Sequence, residues 1–266
     1  MTTSLENKTK PLETETSTTV DTSYLERMES TLDFVVEDLV RELAVSIVIP
    51  VYNERDTIVE TVRRVQAVGI HHEIVIVDDY SLDGTREVLL ELAKQPDIHL
   101  LMHGYNRGKG AALRTAFAQL QGDTVLIQDA DLEYDPSDYP RLLAPLQRDE
   151  ADVVYGSRFL ENPQQDTSPL HRLGNRILTA LSNRMTGHRL TDMETCYKVF
   201  RREILDEIEF EQDRFGFEPE FTAKLSRHGH QIVEVPISYQ SRGYDEGKKI
   251  GLRDALNALW CIAKYR

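Results

Sequence analysis

The segment Asp123-Thr-Val-Leu-Ile-Gln-Asp-Ala-Asp-Leu-Glu-Tyr-Asp135 joins a short apolar run to a burst of carboxylates. Thr124–Ile127 is rich in β-branched residues, the signature of a buried strand. It runs into Asp129, Asp131 and Glu133, acids at alternate positions, before Pro136 closes the segment. Close like charges raise each other's cost of ionisation, and a divalent cation would remove that repulsion. Hard oxygen donors suit Mg²⁺ or Mn²⁺. A solvated acidic loop is the plain alternative for an isolated Asp-x-Asp; the rest of the chain argues against it.

Outward from this segment, apolar strands alternate with amphipathic helices. Val45–Pro50 is almost wholly apolar and leads through Val51-Tyr-Asn-Glu54 into a helix with Asp56 as its expected N-cap. Ile74–Val77 runs into Asp78-Asp79, residues 83–94 read as helix, and Ile98–Met102 as a third strand. A helix over Gly108–Leu120 precedes the strand of the opening segment, and Asp152–Tyr155 is a fifth strand. Such βα units predict a mostly parallel, Rossmann-like α/β sheet flanked by helices. Ligands bind such sheets at the carboxyl ends of the strands. Asn53–Glu54, Asp78–Asp79, Asn106–Lys109 and Asp129–Glu133 all fall there. Beyond residue 156 the alternation loosens: helices are expected from Pro169 to Met185 and over 217–228, and strands over 196–200 and 231–237, the last at a sheet edge because of Pro236.

The chain of 266 residues carries 31 basic and 45 acidic residues, a net charge of −14, which argues against general affinity for nucleic acid. Its two cysteines, Cys196 and Cys261, are too few for a disulfide framework and suit a reducing, cytoplasmic setting. The start lacks the regions of a signal peptide, and no run is apolar for long enough to span a bilayer. The chain is expected to be soluble, or peripheral on the cytoplasmic membrane face. Residues 1–21 read as a disordered acidic tail, and 22–44 as an amphipathic helix packing on its own domain or on a second copy in a homodimer. Residues 45–249 are expected to form the α/β domain, its first half over 45–135 and its second over 136–249. In the helix of 250–266, Leu252, Ala255, Leu256, Leu259, Trp260 and Ala263 make one apolar stripe. That stripe covers the sheet or lies in a membrane interface.

A cation at the rim of such a sheet suggests a diphosphate ligand. Asp78–Asp79 suits hydrogen bonding to a base or ribose, or capping of the next helix. Gly108-Lys-Gly110 follows the third strand rather than the first, so it is a weak dinucleotide fingerprint; as a tight turn it brings Lys109 near phosphate. Arg158, just past the fifth strand, lies at the same sheet edge. Arg172 and Arg176 are one helical turn apart and share a face, and Arg242, Lys248 and Lys249 sit in a Gly-rich stretch. One group suits a donor diphosphate and the other a second anion, the acceptor. His171, His188, His228 and His230 show no zinc-type pairing.

Val48-Ile-Pro-Val-Tyr-Asn-Glu54, Val77-Asp-Asp-Tyr-Ser-Leu-Asp-Gly-Thr85, Asn106-Arg-Gly-Lys-Gly110, Gln128-Asp-Ala-Asp131 and Gly156-Ser-Arg158 together resemble family 2 glycosyltransferases of the GT-A fold. Asp192-Met-Glu-Thr-Cys-Tyr-Lys-Val-Phe-Arg201, Gly216-Phe-Glu-Pro-Glu220, Glu234-Val-Pro-Ile-Ser-Tyr239 and the segment from Arg242 to Ile250 are similar to dolichyl-phosphate mannose synthases and related polyprenyl-phosphate glycosyltransferases. The resemblance implies metal-dependent, inverting transfer of a hexose from GDP-mannose or UDP-glucose to a polyprenyl phosphate. It implies that Pro50, Tyr52, Glu54, Val77 and Asp79 line the nucleotide pocket, and that Asp129 and Asp131, flanking Ala130 in the donor site, bind metal with Glu133. Arg158, Arg172 and Arg176 would hold the lipid phosphate; Arg242 and Lys248 would contact the donor diphosphate. A phosphate monoester, with a second pKa of about 6, needs no strong general base. For the alternative, transfer to a saccharide hydroxyl, Asp192 or Glu194 would be the candidate base. A non-catalytic nucleotide-sugar-binding subunit is disfavoured by the intact Asp129, Asp131 and Arg158. A nicotinamide dehydrogenase is disfavoured by the missing fingerprint after the first strand.

Overall fold

The computed structural model describes residues 42–161, 169–241 and 252–265. The expected tail over 1–21, the helix over 22–44 as far as residue 41, and Arg242, Lys248 and Lys249 lie outside the described residues. Residues 42–44 lead into the first strand without helical structure.

The elements run β1 (Val45–Val51), α1 (Ile58–Val68), β2 (His71–Asp78), α2 (Thr85–Leu92), β3 (Ile98–Met102), α3 (Lys109–Phe117), β4 (Thr124–Ile127), α4 (Tyr139–Gln147), β5 (Val153–Ser157), α5 (Pro169–Thr186), β6 (Lys198–Arg201), α6 (Ile204–Glu207), α7 (Phe217–His228), β7 (Ile232–Pro236) and α8 (Leu252–Tyr265). The strands form one seven-stranded sheet in the order β3-β2-β1-β4-β6-β5-β7. Pairing is parallel throughout except at β6, which runs antiparallel to both β4 and β5. The carboxyl ends of β1–β5 and β7 therefore share one edge with the amino end of β6. β7 closes one side of the sheet, the edge position that Pro236 predicts.

Continuous Val/Ile/Leu runs make these strands, because helices cover both faces and leave no solvent side to alternate toward. Ile47, Val48 and Ile49 of β1 and Ile74–Val77 of β2 are fully enclosed. The order reverses between β1 and β4, the place where such sheets open a ligand crevice. Gln128 N donates to Val48 O at 2.9 Å, so Asp129 emerges from the sheet beside the end of β1.

One local expectation needs correction, and one of two alternatives is favoured. The N-cap of α1 is Thr57, not Asp56, and the Thr57 hydroxyl donates to the Glu54 carboxylate at 2.7 Å instead of capping the helix. The described part of the stripe on α8 faces outward. Ala258, Cys261, Ile262 and Tyr265 are its buried side, whereas Leu256, Leu259 and Trp260 are 58%, 36% and 50% exposed. Among the described residues, α8 packs through Ala258, Cys261, Ile262 and Tyr265 and leaves its bulkier apolar side uncovered.

Candidate active site

The loops after β1 and β2 are laced together before any side chain is presented. Asn53 N donates to Ser81 Oγ at 2.9 Å, Leu82 N to Asn53 Oδ1 at 2.8 Å, and Glu54 N to Thr85 Oγ1 at 3.0 Å. Asn53, Tyr80 and Leu132 all adopt left-handed backbone, at φ 56°, 68° and 63°. For Tyr and Leu this conformation is uncommon and costs about 1–2 kcal/mol each. Such strain concentrates at ligand sites.

Asp78 and Asp79 work inward. Asp78 is fully buried; it accepts the amides of Tyr80 and Ser81 and pairs with Arg86 at 2.7 Å. Asp79 accepts the amides of Arg107 at 2.8 Å and Gly108 at 2.6 Å, and meets His103 Nδ1 at 2.7 Å. His103, itself braced by Thr115, was not legible as a site residue in sequence. Val77 lies wholly in the core, whereas Pro50, Tyr52 and Glu54 stay half-buried at the end of β1.

Asp79 thus sets the start of α3, and with it Lys109. Gly108, at φ 100°, and Gly110 are required there: an added Cβ would come within 2.3 Å of Asp213 O or Gln212 O. That close approach lets Lys109 reach back over the sheet edge. Its Nζ lies 2.9 Å from Asp129 Oδ1 and 3.4 Å from Glu218 Oε1. Burial works against the ammonium, but Asp129 with Glu218 behind it holds Lys109 well above the usual lysine range. Burial likewise raises Asp129, and Lys109 more than offsets it, leaving the carboxyl below its usual value.

The acidic turn is fixed from beneath. Gln128 is fully buried; its Oε1 accepts the hydroxyls of Tyr139 and Tyr197 at 2.6 and 2.7 Å, and its Nε2 donates to Asp129 O at 2.8 Å. Ala130 is buried with its carbonyl accepting from Thr61 Oγ1 at 3.0 Å. Asp131 and Glu133 remain half-exposed, and Asp131 Oδ1 accepts the Glu133 amide at 3.2 Å.

On the other side of the turn stands Arg158. Its Nε and Nη2 make a bidentate pair with Asp192 at 2.7 and 2.8 Å, and its backbone amide donates to the same carboxylate. Burial opposes the guanidinium charge; Asp192 more than restores it. The Arg158 guanidinium also lies 5.1 Å from the centre of the Tyr239 ring. Tyr239 in turn donates to Glu133 Oε2 at 2.8 Å. One aromatic side chain therefore joins the acidic turn to the arginine. On α5, Asn175 donates to Asp192 Oδ1 at 3.0 Å, and Arg172 and Arg176 flank it on the same face, the first partly buried and the second exposed.

A family model described as glycosyl transferase family 2 matches residues 46–209, well over half of the chain. The chain belongs to glycosyl transferase family 2. Relatives include the undecaprenyl-phosphate 4-deoxy-4-formamido-L-arabinose transferases of Pseudomonas fluorescens and Edwardsiella ictaluri. The first is 34% identical over 79% of this chain and 61% of its own length. The second is 31% identical over 81% and 66%. The chain thus spans a little under two-thirds of the length of these curated relatives. Among solved structures, mannosyl-3-phosphoglycerate synthase from Rubrobacter xylanophilus superposes with a TM-score of 0.68 at 21% identity, covering 90% of this chain and 76% of that one. Glucosyl-3-phosphoglycerate synthase from Mycobacterium tuberculosis, solved with Mn²⁺, UDP and glucosyl-3-phosphoglycerate, gives 0.60 at 20% identity over 77% and 74%. At these identities the structures speak for the α/β fold alone.

For a family 2 chain the donor chemistry of the turn suits a hard divalent cation: half-exposed carboxylates with no soft ligand among them. These carboxylates already have protein partners: Asp129 meets Lys109, Asp131 accepts the Glu133 amide, and Glu133 accepts the Tyr239 hydroxyl. Among the described residues no three His, Cys, Asp or Glu side chains stand together as a ready-made metal cage. Sites completed by substrate phosphates and water have that character.

Proposed function

We propose that this chain moves a sugar from a nucleoside-diphosphate sugar to a polyprenyl phosphate. The observation that carries this reading is the Glu133–Tyr239–Arg158 contact, which sets a cation-suited acidic turn one aromatic ring away from an arginine held for a second anion. Asp131, with Asp129 and Glu133, would hold Mg²⁺ or Mn²⁺, which when bound would neutralise the departing diphosphate. Pro50, Tyr52, Glu54 and the Asp79 loop take the nucleotide, and Arg242 and Lys248 contact its diphosphate.

The acceptor side follows from charge balance. Arg158 is neutralised by Asp192, so its part is directional: it presents a guanidinium edge in a fixed orientation. Arg172 and Arg176, one helical turn apart on α5, would bring two further guanidinium groups to a phosphate dianion. Because that phosphate is already ionised near neutral pH, attack requires alignment more than a base. The relatives named for undecaprenyl phosphate support the acceptor class. Their named sugar, 4-deoxy-4-formamido-L-arabinose, stands beside mannose and glucose as a donor to be tested.

No described helix is long and apolar enough to cross a membrane. The outward stripe of α8, with Lys264 beside Trp260, supports docking at a membrane surface, where a lipid acceptor resides. The deciding assay incubates the protein with Mn²⁺, undecaprenyl phosphate in detergent and each radiolabelled donor, then extracts lipid. Label should enter the lipid fraction with one donor, and Arg158→Lys, which cannot make the bidentate pair, should slow it about a hundredfold. Lipid left unlabelled by every donor, or an unimpaired Arg158→Lys, would sink the reading.

A further inference from the structure

Glu194 occupies the loop that touches both halves of the site. Two residues before it, Asp192 grips Arg158. Two residues after it, Cys196 lies against Asp129, with its thiol 3.9 Å from Ile127 O. The backbone around Glu194 is pinned on every side. Met193 N donates to Thr179 Oγ1 at 3.2 Å, Thr195 Oγ1 to Gly156 O at 2.6 Å, and Cys196 N to Tyr134 OH at 3.1 Å. The buried ammonium of Lys198 donates to the carbonyls of both Met193 and Thr195, so it clamps the peptides flanking Glu194. Within this rigid frame, Glu194 Oε1 is enclosed and accepts no hydrogen bond.

Glu218 approaches from the first turn of α7. It is 4% exposed; its Oε1 faces Lys109 at 3.4 Å, and its Oε2 has no partner. Its neighbour Glu220 shows what a structural carboxylate does in this helix. Glu220 accepts the amides of Glu211 and Gln212 at 2.8 and 2.9 Å and pairs with Lys224 at 2.7 Å. An enclosed carboxylate oxygen without a donor is costly, and here two stand next to the same site.

We propose that Glu194 and Glu218 read the hydroxyl groups of the donor sugar, and so set which sugar is transferred. A sugar hydroxyl can give a hydrogen bond to an ionised carboxylate or take one from a protonated acid, so it supplies what both oxygens lack. The place is right as well. A sugar between a diphosphate at the acidic turn and an anion at Arg158 would pass the 192–196 loop, whose ends meet Arg158 through Asp192 and Asp129 through Cys196. A site that leaves polar atoms unpaired when empty discriminates strongly, because a sugar missing the matching hydroxyl leaves them unpaired still. Burial and the charge of Glu218 push Glu194 up to about 8, so the pair has a proton to share with hydroxyls that must accept.

This inference rests on the donor reading above. Titration calorimetry of the whole protein with Mn²⁺ would compare UDP, GDP, UDP-glucose, GDP-mannose and UDP-4-deoxy-4-formamido-L-arabinose, for wild type, Glu194→Gln and Glu218→Gln. Both variants should bind the bare nucleoside diphosphate within about twofold of wild type, and its sugar conjugate about tenfold or more weakly. Without ligand, Glu194→Gln should melt near wild type, because the acid already holds its proton near neutral pH, whereas Glu218→Gln should melt lower, because it takes a charge from beside Lys109. Variants that keep full affinity for the sugar conjugate, or a sugar that adds no affinity in wild type, would overturn the inference alone. Failure of every nucleoside diphosphate to bind wild type would overturn the donor reading, and this inference with it.

Discussion

Lys109 Nζ sits 2.9 Å from Asp129 Oδ1, so the first carboxylate of the Asp-Ala-Asp turn faces a fixed ammonium before any substrate arrives. Part of the repulsion among Asp129, Asp131 and Glu133 is thereby removed by the protein itself. A divalent ion would then face less charge at Asp129 than the spacing of three acids suggests.

Replacing Lys109 with Met keeps the side-chain length and removes the charge. Breaking a largely buried pair costs about 3 kcal/mol, so urea denaturation at neutral pH should show a loss of that order. The sign of its pH dependence is set by Asp129, whose folded pKa is depressed. Its contribution is present above the unfolded carboxylate value and is lost as pH falls through the lower folded one. The deficit of Lys109→Met should therefore be full at pH 6–7 and shrink only in acid below about pH 4. Mn²⁺ should raise the melting temperature of the variant more than that of wild type. An equal or smaller shift would mean that Asp129 does not ligate the ion.

Asp192→Asn separates two chemistries. The guanidinium of Arg158 would lose its counter-charge while keeping a neutral partner, at a cost of about 3 kcal/mol in stability. Because an ionised phosphate needs no base, transfer to undecaprenyl phosphate should stay above about a tenth of the wild-type rate once the fold is confirmed by circular dichroism. A loss of about a thousandfold with nucleotide affinity intact would instead mark Asp192 as the base for a hydroxyl acceptor.

The sequence yields the strand ladder, because a sheet covered on both faces writes itself as unbroken apolar runs: Ile98–Met102 and Thr124–Ile127 are found where the pattern puts them. It also places the site loops at one edge, since parallel strands leave no other place for them. The antiparallel insertion of β6 is not legible, as a four-residue strand carries no direction. Nor are the roles of Glu194, Glu218 and Lys198. Each lies in a quoted motif, but whether a buried glutamate is spent on backbone amides, like Glu220, or left open, like Glu218, depends on contacts distant in sequence. Asp79 makes the same point in reverse: it reads as a ligand residue, and the fold uses it to hold the amides of Arg107 and Gly108.

Glu194 predicts an unusual slope of stability with pH. Burial raises its folded pKa to about 8, so between about pH 4.5 and 8 the folded state holds a proton that the unfolded chain has released. Stability contributed by this group is full in acid and declines through that window. Glu194→Gln should flatten the decline when chemical denaturation is repeated across pH 5–8. A variant that tracks wild type in parallel would show that Glu194 ionises normally.

Gly108→Ala tests how tightly Lys109 is placed. The backbone at φ 100° disfavours any side chain, and the new Cβ would meet Asp213 O at 2.3 Å. A loss of about 3 kcal/mol is expected, from strain and displacement together. Gly104→Ala is the control: nothing lies within 4 Å of its Cβ position, and its effect should stay within about 0.5 kcal/mol. Equal effects at both positions would remove the close-approach argument for the Gly-Lys-Gly turn.

The outward face of α8 makes a prediction that the buried face keeps clean. Leu256 and Leu259 can be changed to Glu without touching Ala258, Cys261, Ile262 or Tyr265, which hold the helix in place. Trp260, half-exposed and the single tryptophan of the chain, reports directly on its surroundings. Its emission should shift to the blue when the wild-type protein meets vesicles, and the protein should float with them. The net charge of −14 opposes anionic lipid, so apolar burial must carry the binding, and neutral vesicles should serve at least as well as anionic ones. Leu256→Glu/Leu259→Glu should abolish both signals while leaving the melting temperature within a few degrees of wild type. Flotation that survives the double substitution would assign membrane contact to another surface, and an unchanged emission in wild type would exclude this helix from the interface.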